Sequence, residues 1–183
     1  MTRSALGVAA LFCCLYLLPL GFRPMTVPDE SRYSEIPREM IASGDWVVPR
    51  LNGVRYFEKP ILGYWVNAVS ITIFGQNRFA VRLPAALATG LTALMVLVMV
   101  RRFTRTPEAG ILAAAAYLTC IAVFALGVIN ILDSLLTLFL TLAMGAFFYA
   151  YRAERVRTRA LGLDLLGDCC KLAFLVYRFL DFV

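Results

Sequence analysis

Histidine is absent from all 183 residues. That excludes histidine acid–base catalysis and histidine-ligated metal sites within this chain. Cysteine is scarce, and Cys13, Cys14, Cys120, Cys169 and Cys170 have no zinc spacing. The first three fall in apolar runs, where cysteine behaves as a small apolar side chain, so neither a disulfide framework nor a metal site is expected. Charge is missing from four long stretches, Ser4–Phe22, Leu83–Val100, Ala109–Leu132 and Ser134–Tyr151. Each is near the roughly 20 residues that a helix needs to cross about 30 Å of hydrocarbon. The chain is 61% hydrophobic with a mean hydropathy of +0.75, above the roughly half apolar content of soluble domains. These features specify an integral membrane protein.

The charges that are present fix a topology. The net charge is +6, and the excess lies beside the apolar runs, which argues against nucleic-acid binding. Arg3 precedes the first run, Arg101, Arg102 and Arg105 follow the second, and Arg152, Arg155, Arg157 and Arg159 follow the fourth. Cytoplasmic loops are rich in Arg and Lys, so all three clusters are assigned to the cytoplasm. The expected fold is an all-α membrane protein with four transmembrane helices, at about 4–22, 80–100, 109–129 and 133–151. The N-terminus is then cytoplasmic and the 23–79 loop faces outward. No small-x-small cleavage site precedes Arg23, so the first run reads as a retained signal anchor. Without Asp133, Ala109–Tyr151 would be one uncharged run of 43 residues, about twice a span. Asn130 and Asp133 therefore mark an outer turn.

The segment Arg23–Lys59 is dense in charge yet neutral, with six basic and six acidic residues. A plain connection between spans would not need this. Ile61–Gly75 is apolar, but its length corresponds to only about 22 Å of helix, too short to span. Ile61, Leu62, Trp65, Val66, Val69 and Ile73 recur at helical spacing, which predicts a helix lying in the outer interface. Arg78 and Arg82 would then snorkel at the outer end of the second span. A second juxtamembrane helix is expected from Pro37 over Arg38–Ala42, stopping at Gly44, because the residue before proline disfavours helix. Asp45 suits an Asx turn and Trp46 an interfacial anchor.

Three places in this loop region carry candidate chemistry, each with a plainer alternative. Asp29-Glu30 after Pro28 suits a helix N-terminus. Glu58-Lys59 could be an ordinary interfacial ion pair, or Lys59 could hold a phosphate at headgroup level. Asp133 could cap the last span, although a carboxylate at a membrane boundary is a functional candidate by default.

The polar residues at fixed offsets carry a further signal. They are Pro28-Asp29-Glu30-x-Arg32-Tyr33-x-Glu35-Ile36-x-Arg38-Glu39-Met40, Ser43-Gly44-Asp45-Trp46, Leu51-Asn52-Gly53, Tyr56-Phe57-Glu58-Lys59-Pro60-x-Leu62-x-Tyr64-Trp65 and Phe74-Gly75-x-Asn77-x-Phe79-Ala80-x-Arg82. This pattern resembles the ArnT group, the 4-amino-4-deoxy-L-arabinose lipid A transferases of the protein-O-mannosyltransferase-like GT-C superfamily. The resemblance runs from about Ser4 to Arg159. It implies a bacterial inner-membrane glycosyltransferase that moves a sugar from undecaprenyl phosphate to a lipid A phosphate at the periplasmic face. It also implies two juxtamembrane helices in the first periplasmic loop. By motif, Asp29 and Asp133 are the implied catalytic carboxylates. Lys59, Glu58, Glu30, Arg32 and Tyr33 are the implied substrate-binding residues, with Lys59 on the carrier phosphate. No cofactor is implied, although Glu58 could help to hold a divalent cation. The partners are the undecaprenyl-phosphate-linked sugar, lipid A or another periplasmic acceptor, and membrane lipid.

Past Arg159 the motif pattern fades. Asp164, Asp168, Lys171, Arg178 and Asp181 interrupt the apolar residues of 160–183, and charges at a helix centre oppose insertion by roughly 2.5–3.5 kcal/mol each. The expectation is a divergent or frameshifted tail, a degenerate fifth span, and an N-terminal part that is inactive alone. Two other readings remain. One is a non-catalytic membrane remnant. The other is a GT-C enzyme with a different polyprenyl-phosphate sugar or a protein acceptor.

Overall fold

A computed structural model describes residues 3–104, 106–152 and 156–177. Arg105 and Arg155 of the expected basic clusters, and Arg178 and Asp181 of the tail, lie outside the described residues.

The first apolar run is helical from Arg3 but not uniform. Helix α1 (Arg3–Phe12) widens into a π turn at Cys13–Leu17 and tightens into a 3₁₀ turn at Leu18–Gly21 around Pro19. The charged loop then forms α2 (Asp29–Ser43), a short hairpin of β1 (Arg50–Leu51) and β2 (Val54–Arg55), and α3 (Ile61–Phe74). Helix α4 (Arg78–Thr104) follows, then α5 (Pro107–Thr119), α6 (Ile121–Gly127), α7 (Asp133–Arg152) and α8 (Val156–Tyr177).

Helices α4 and α7 are each long and apolar enough to cross a membrane, and α5 with α6 forms a candidate span bent by 66°. The bend lies at Cys120, whose backbone is extended. Where the helix breaks, the Leu118 carbonyl accepts the Tyr16 hydroxyl at 2.8 Å, so the break is tied to the first helix. Helix α8 packs along α7, where Gly162 lets it approach Ala150 closely.

Several expectations need correction. Helix α2 begins at Asp29, not near Pro37, and passes straight through Pro37. Ile36 is fully buried in a cluster with Tyr33, Met40, Tyr64 and Leu132. That packing overrides the local preference of a pre-proline residue for extended backbone. Gly44 ends the helix in the left-handed region at φ 72°, as expected. The fold is not purely α, because Asn52-Gly53, both at positive φ, turn the small hairpin.

Helix α4 starts at Arg78, where the Asn77 side chain accepts the Ala80 N–H at 2.8 Å, an N-cap in place of the expected later start. Pro84 lies inside it and leaves the Ala80 carbonyl without its helical partner. Ser70 of α3 supplies one at 2.6 Å.

The short apolar helix α3 is inside out by soluble standards. Its buried residues include Tyr64, Asn67 and Ser70, whereas Val69 and Ile73 of the apolar stripe are exposed. A helix turns its polar side inward in this way when the surroundings are apolar.

Candidate active site

The first turn of α2 holds Asp29 and Glu30, where acids complement the helix dipole. Adjacent residues on a helix point about 100° apart, and these two carboxylates enter opposite environments. The Asp29 side chain is 53% exposed and pairs with Arg32 at 2.6 Å. A second Arg32 nitrogen donates to the Tyr56 hydroxyl at 3.3 Å and lies 3.7 Å from a Glu58 oxygen. The Tyr56 hydroxyl in turn donates to Glu58. Burial, then this carboxylate, pushes the Tyr56 phenol up to about 12. Asp29, Arg32, Tyr56 and Glu58 thus form one polar cluster with a single cation among two acids.

Tyr33 lies beneath it, 7% exposed, its ring 6.4 Å from that of Tyr64. Burial raises the Tyr33 phenol first, and the charges of Glu58, Asp29 and Asp133 raise it further. Asp133 opens α7 and is exposed. Leu132, the residue before Asp133, packs in the same buried cluster as Tyr33, so the fold brings the start of α7 to the helix that opens at Asp29. Lys59 is half-buried and has no ion-pair partner among the described residues. Two buried polar atoms here, Arg32 Nε and the Tyr64 hydroxyl, have no hydrogen-bond partner among the described residues. No group of three or more cysteines and acids is placed to hold a metal among the described residues.

Glu30 is fully buried. One of its oxygens takes Arg82 Nε at 2.7 Å and the Asn130 N–H at 3.1 Å. The other takes Arg82 Nη2 at 2.9 Å and the Thr26 N–H at 2.7 Å. Burial alone would raise the carboxyl, but Arg82 and the two N–H groups bring it down to about 2. Arg82 is 1% exposed and also donates to the carbonyls of Leu20, Arg23 and Pro24. The expected snorkelling of Arg82 is therefore wrong, because the guanidinium turns inward onto a complete set of acceptors. One clue was available: Arg82 stands alone among apolar neighbours, where a cation needs a partner. The Asn67–Asn130 bond at 2.8 Å, also buried, had no comparable signal.

Residues 1–179 match the PMT family, dolichyl-phosphate-mannose-protein mannosyltransferase. The chain belongs to this family. The match extends past Arg159, where the motif resemblance stopped. This PMT-family chain is also 44% identical over 178 residues to undecaprenyl phosphate-alpha-4-amino-4-deoxy-L-arabinose arabinosyl transferase 2 of Sodalis glossinidius, with 97% of this chain and 32% of the relative covered. It is 44% identical over 180 residues to undecaprenyl phosphate-alpha-4-amino-4-deoxy-L-arabinose arabinosyl transferase of Aeromonas salmonicida, covering 98% of this chain and 32% of that one.

Among solved structures it is similar to ArnT from Cupriavidus metallidurans. The apo form gives a TM-score of 0.86 at 29% identity, covering 95% of this chain and 33% of that one. The form bound to undecaprenyl phosphate gives 0.79 at 28% identity, covering 94% and 32%. The chain spans about a third of the length of the relatives it matches.

Proposed function

We propose that this chain supplies the first spans and the acidic centre of a glycosyltransferase that moves 4-amino-4-deoxy-L-arabinose from undecaprenyl phosphate to a lipid A phosphate. The observation that carries this reading is the ion-paired cluster of Asp29, Arg32 and Glu58 beside Tyr33, against which the turn that leads into Asp133 packs through Leu132, at one end of a helical membrane bundle. Similarity to the arabinosyl transferases supports the choice of sugar and carrier. In this reading the cluster end faces the periplasm, the first run and the α5–α6 pair are spans alongside α4 and α7, and α3 lies in the interface.

The reaction breaks the bond between the sugar's anomeric carbon and the carrier phosphate oxygen. The electron pair leaves with undecaprenyl phosphate, and an oxygen of the acceptor phosphate bonds to the same carbon from the opposite face, inverting it. The leaving group is a stable anion and the acceptor is already ionised, so the step needs placed charge more than proton transfer. Lys59 and Arg32 hold the phosphates. Asp29 and Asp133 stabilise positive charge developing on the sugar and orient the acceptor. Glu58 and Tyr56 fix the Arg32 fork. Tyr33 walls the cluster from below, and no cofactor is required.

The test is lipid A mass spectrometry in a strain lacking its own aminoarabinose transferase and expressing the complete gene that contains this chain. The wild-type protein should add the sugar, whereas Asp29→Asn and Asp133→Asn should reach the membrane without adding it. Unmodified lipid A with the wild-type protein, or full modification by both variants, would sink the reading.

A further inference from the structure

The Glu30–Arg82 pair does more than neutralise two buried charges. Every acceptor position on the Glu30 carboxylate is committed, and its partners come from three other parts of the chain. Thr26 belongs to the entry into α2, Arg82 to α4, and Asn130 to the turn before α7. Arg23 joins from its half-exposed position, 3.5 Å from Glu30 and 3.4 Å from the Val128 carbonyl. Arg82 gathers the carbonyls of Leu20, Arg23 and Pro24 at the end of the first helical run. Asn130 extends the junction to α3 by accepting from the Asn67 amide.

The placement of these bonds matters for the site. Glu30 is the next residue after Asp29, and Asn130 lies three residues before Asp133. One carboxylate therefore bonds, directly or through Arg82, to the backbone on both sides of the gap that separates the two candidate catalytic aspartates. Neither aspartate is fixed to the other by its own side chain among the described residues, and both are exposed.

We propose that Glu30 and Arg82 are positioning residues that set the separation of Asp29 and Asp133. This rests on the reading that those two aspartates flank the transferred sugar. A carboxylate is needed at residue 30 because it alone accepts on both oxygens at once. A glutamine amide would present N–H groups to the Arg82 guanidinium or to an N–H of Thr26 or Asn130. A guanidinium is needed at residue 82 because a lysine cannot span two carboxylate oxygens and three carbonyls from one centre.

The experiment uses the protein expressed from its complete gene and purified in detergent, with Glu30→Gln, Arg82→Lys and Asp29→Asn beside the wild type. Two quantities are read. The first is kcat per folded molecule and KM for undecaprenyl-phosphate-linked aminoarabinose. The second is the α2–α7 separation, by pulsed electron paramagnetic resonance between spin labels on Arg38→Cys and Leu140→Cys, with the native cysteines replaced. Both label sites are exposed.

The expected result for Glu30→Gln is a fall in kcat of about tenfold or more, a KM changed far less, and a broadened or shifted label distance. Should Glu30→Gln not accumulate, Arg82→Lys carries the same two readouts with the same expectation. A wild-type kcat per folded molecule, or an unchanged distance distribution, would overturn the proposal and leave the pair a mere stabiliser. If the wild type fails to transfer the sugar, or Asp29→Asn still does, the functional reading falls. The label distance then still judges the clasp by itself.

Discussion

Leu132 occupies the space that a side chain at Gly63 would need. A Cβ added there would lie 1.5 Å from the Leu132 Cδ2 and 2.9 Å from its Cγ. Helix α3 is thus pressed against the turn that leads into Asp133, in the cluster formed by Tyr33, Ile36, Met40, Tyr64 and Leu132. A glycine inside a helix costs about 1 kcal/mol relative to alanine, so close approach is the reason for this one.

Gly63→Ala should therefore destabilise the protein despite its better helix propensity. Leu132 is 8% exposed and is packed among Tyr33, Ile36, Met40 and Tyr64, so it must displace buried neighbours to move. Overpacking of this kind costs typically about 1–3 kcal/mol. Thermal unfolding in detergent should show the loss, and sugar transfer should fall with it, because the displaced residue is the neighbour of Asp133. Unchanged stability and transfer would mean that the turn gives way freely.

Removing one partner of the buried pair should be costly. Glu30→Ala leaves Arg82 buried without its counter-charge, a change that typically costs about 3–5 kcal/mol. The pair also sets a pH dependence. The folded carboxyl sits at about 2, below its ordinary 4.5. Its contribution is complete above the higher value and is lost as pH falls through the lower one. Unfolding midpoints of the wild type should drop across that interval, and those of Glu30→Gln should drop less. Parallel curves would remove the pair from the account of acid stability.

Tyr56 should stay protonated throughout the working range, because burial and Glu58 hold its phenol at about 12. The hydroxyl then remains a donor to Glu58 through the neutral range. Tyr56→Phe should lower transfer by loosening the Arg32 fork, while the alkaline limb of the pH–rate profile stays where it was. A shift of that limb in the variant would show that Tyr56 itself titrates. Glu58, the acceptor of the lost bond, is 55% exposed, so the stability cost of this substitution should stay under about 1 kcal/mol.

Much of the architecture was legible in the sequence because a membrane imposes simple rules. Uncharged runs near 20 residues predicted α4 and α7 to within a few residues, since backbone polar groups in hydrocarbon must bond within a helix. Gly44 predicted the end of α2 through its freedom at positive φ, and Asp45 accepts the N–H groups of Val47 and Val48 as an Asx turn should. The α3 segment was readable as a helix too short to span. Its stripes did not reveal that the polar one faces inward, because periodicity alone does not say what surrounds a helix.

The tertiary structure decided what depends on partners distant in sequence. Local preference started the helix only at Pro37, but burial of Ile36 against Tyr64 and Leu132 carried α2 through it and back to Asp29. Two adjacent acids read alike in the sequence. Only the fold sends Asp29 outward to Arg32 and Glu30 inward to Arg82, 52 positions away. Composition and charge determined that this chain enters a membrane and where its polar loop lies, since transfer free energies act residue by residue. Which carboxylate is exposed for chemistry and which is buried was decided by packing, because a buried charge survives only where several segments converge to satisfy it.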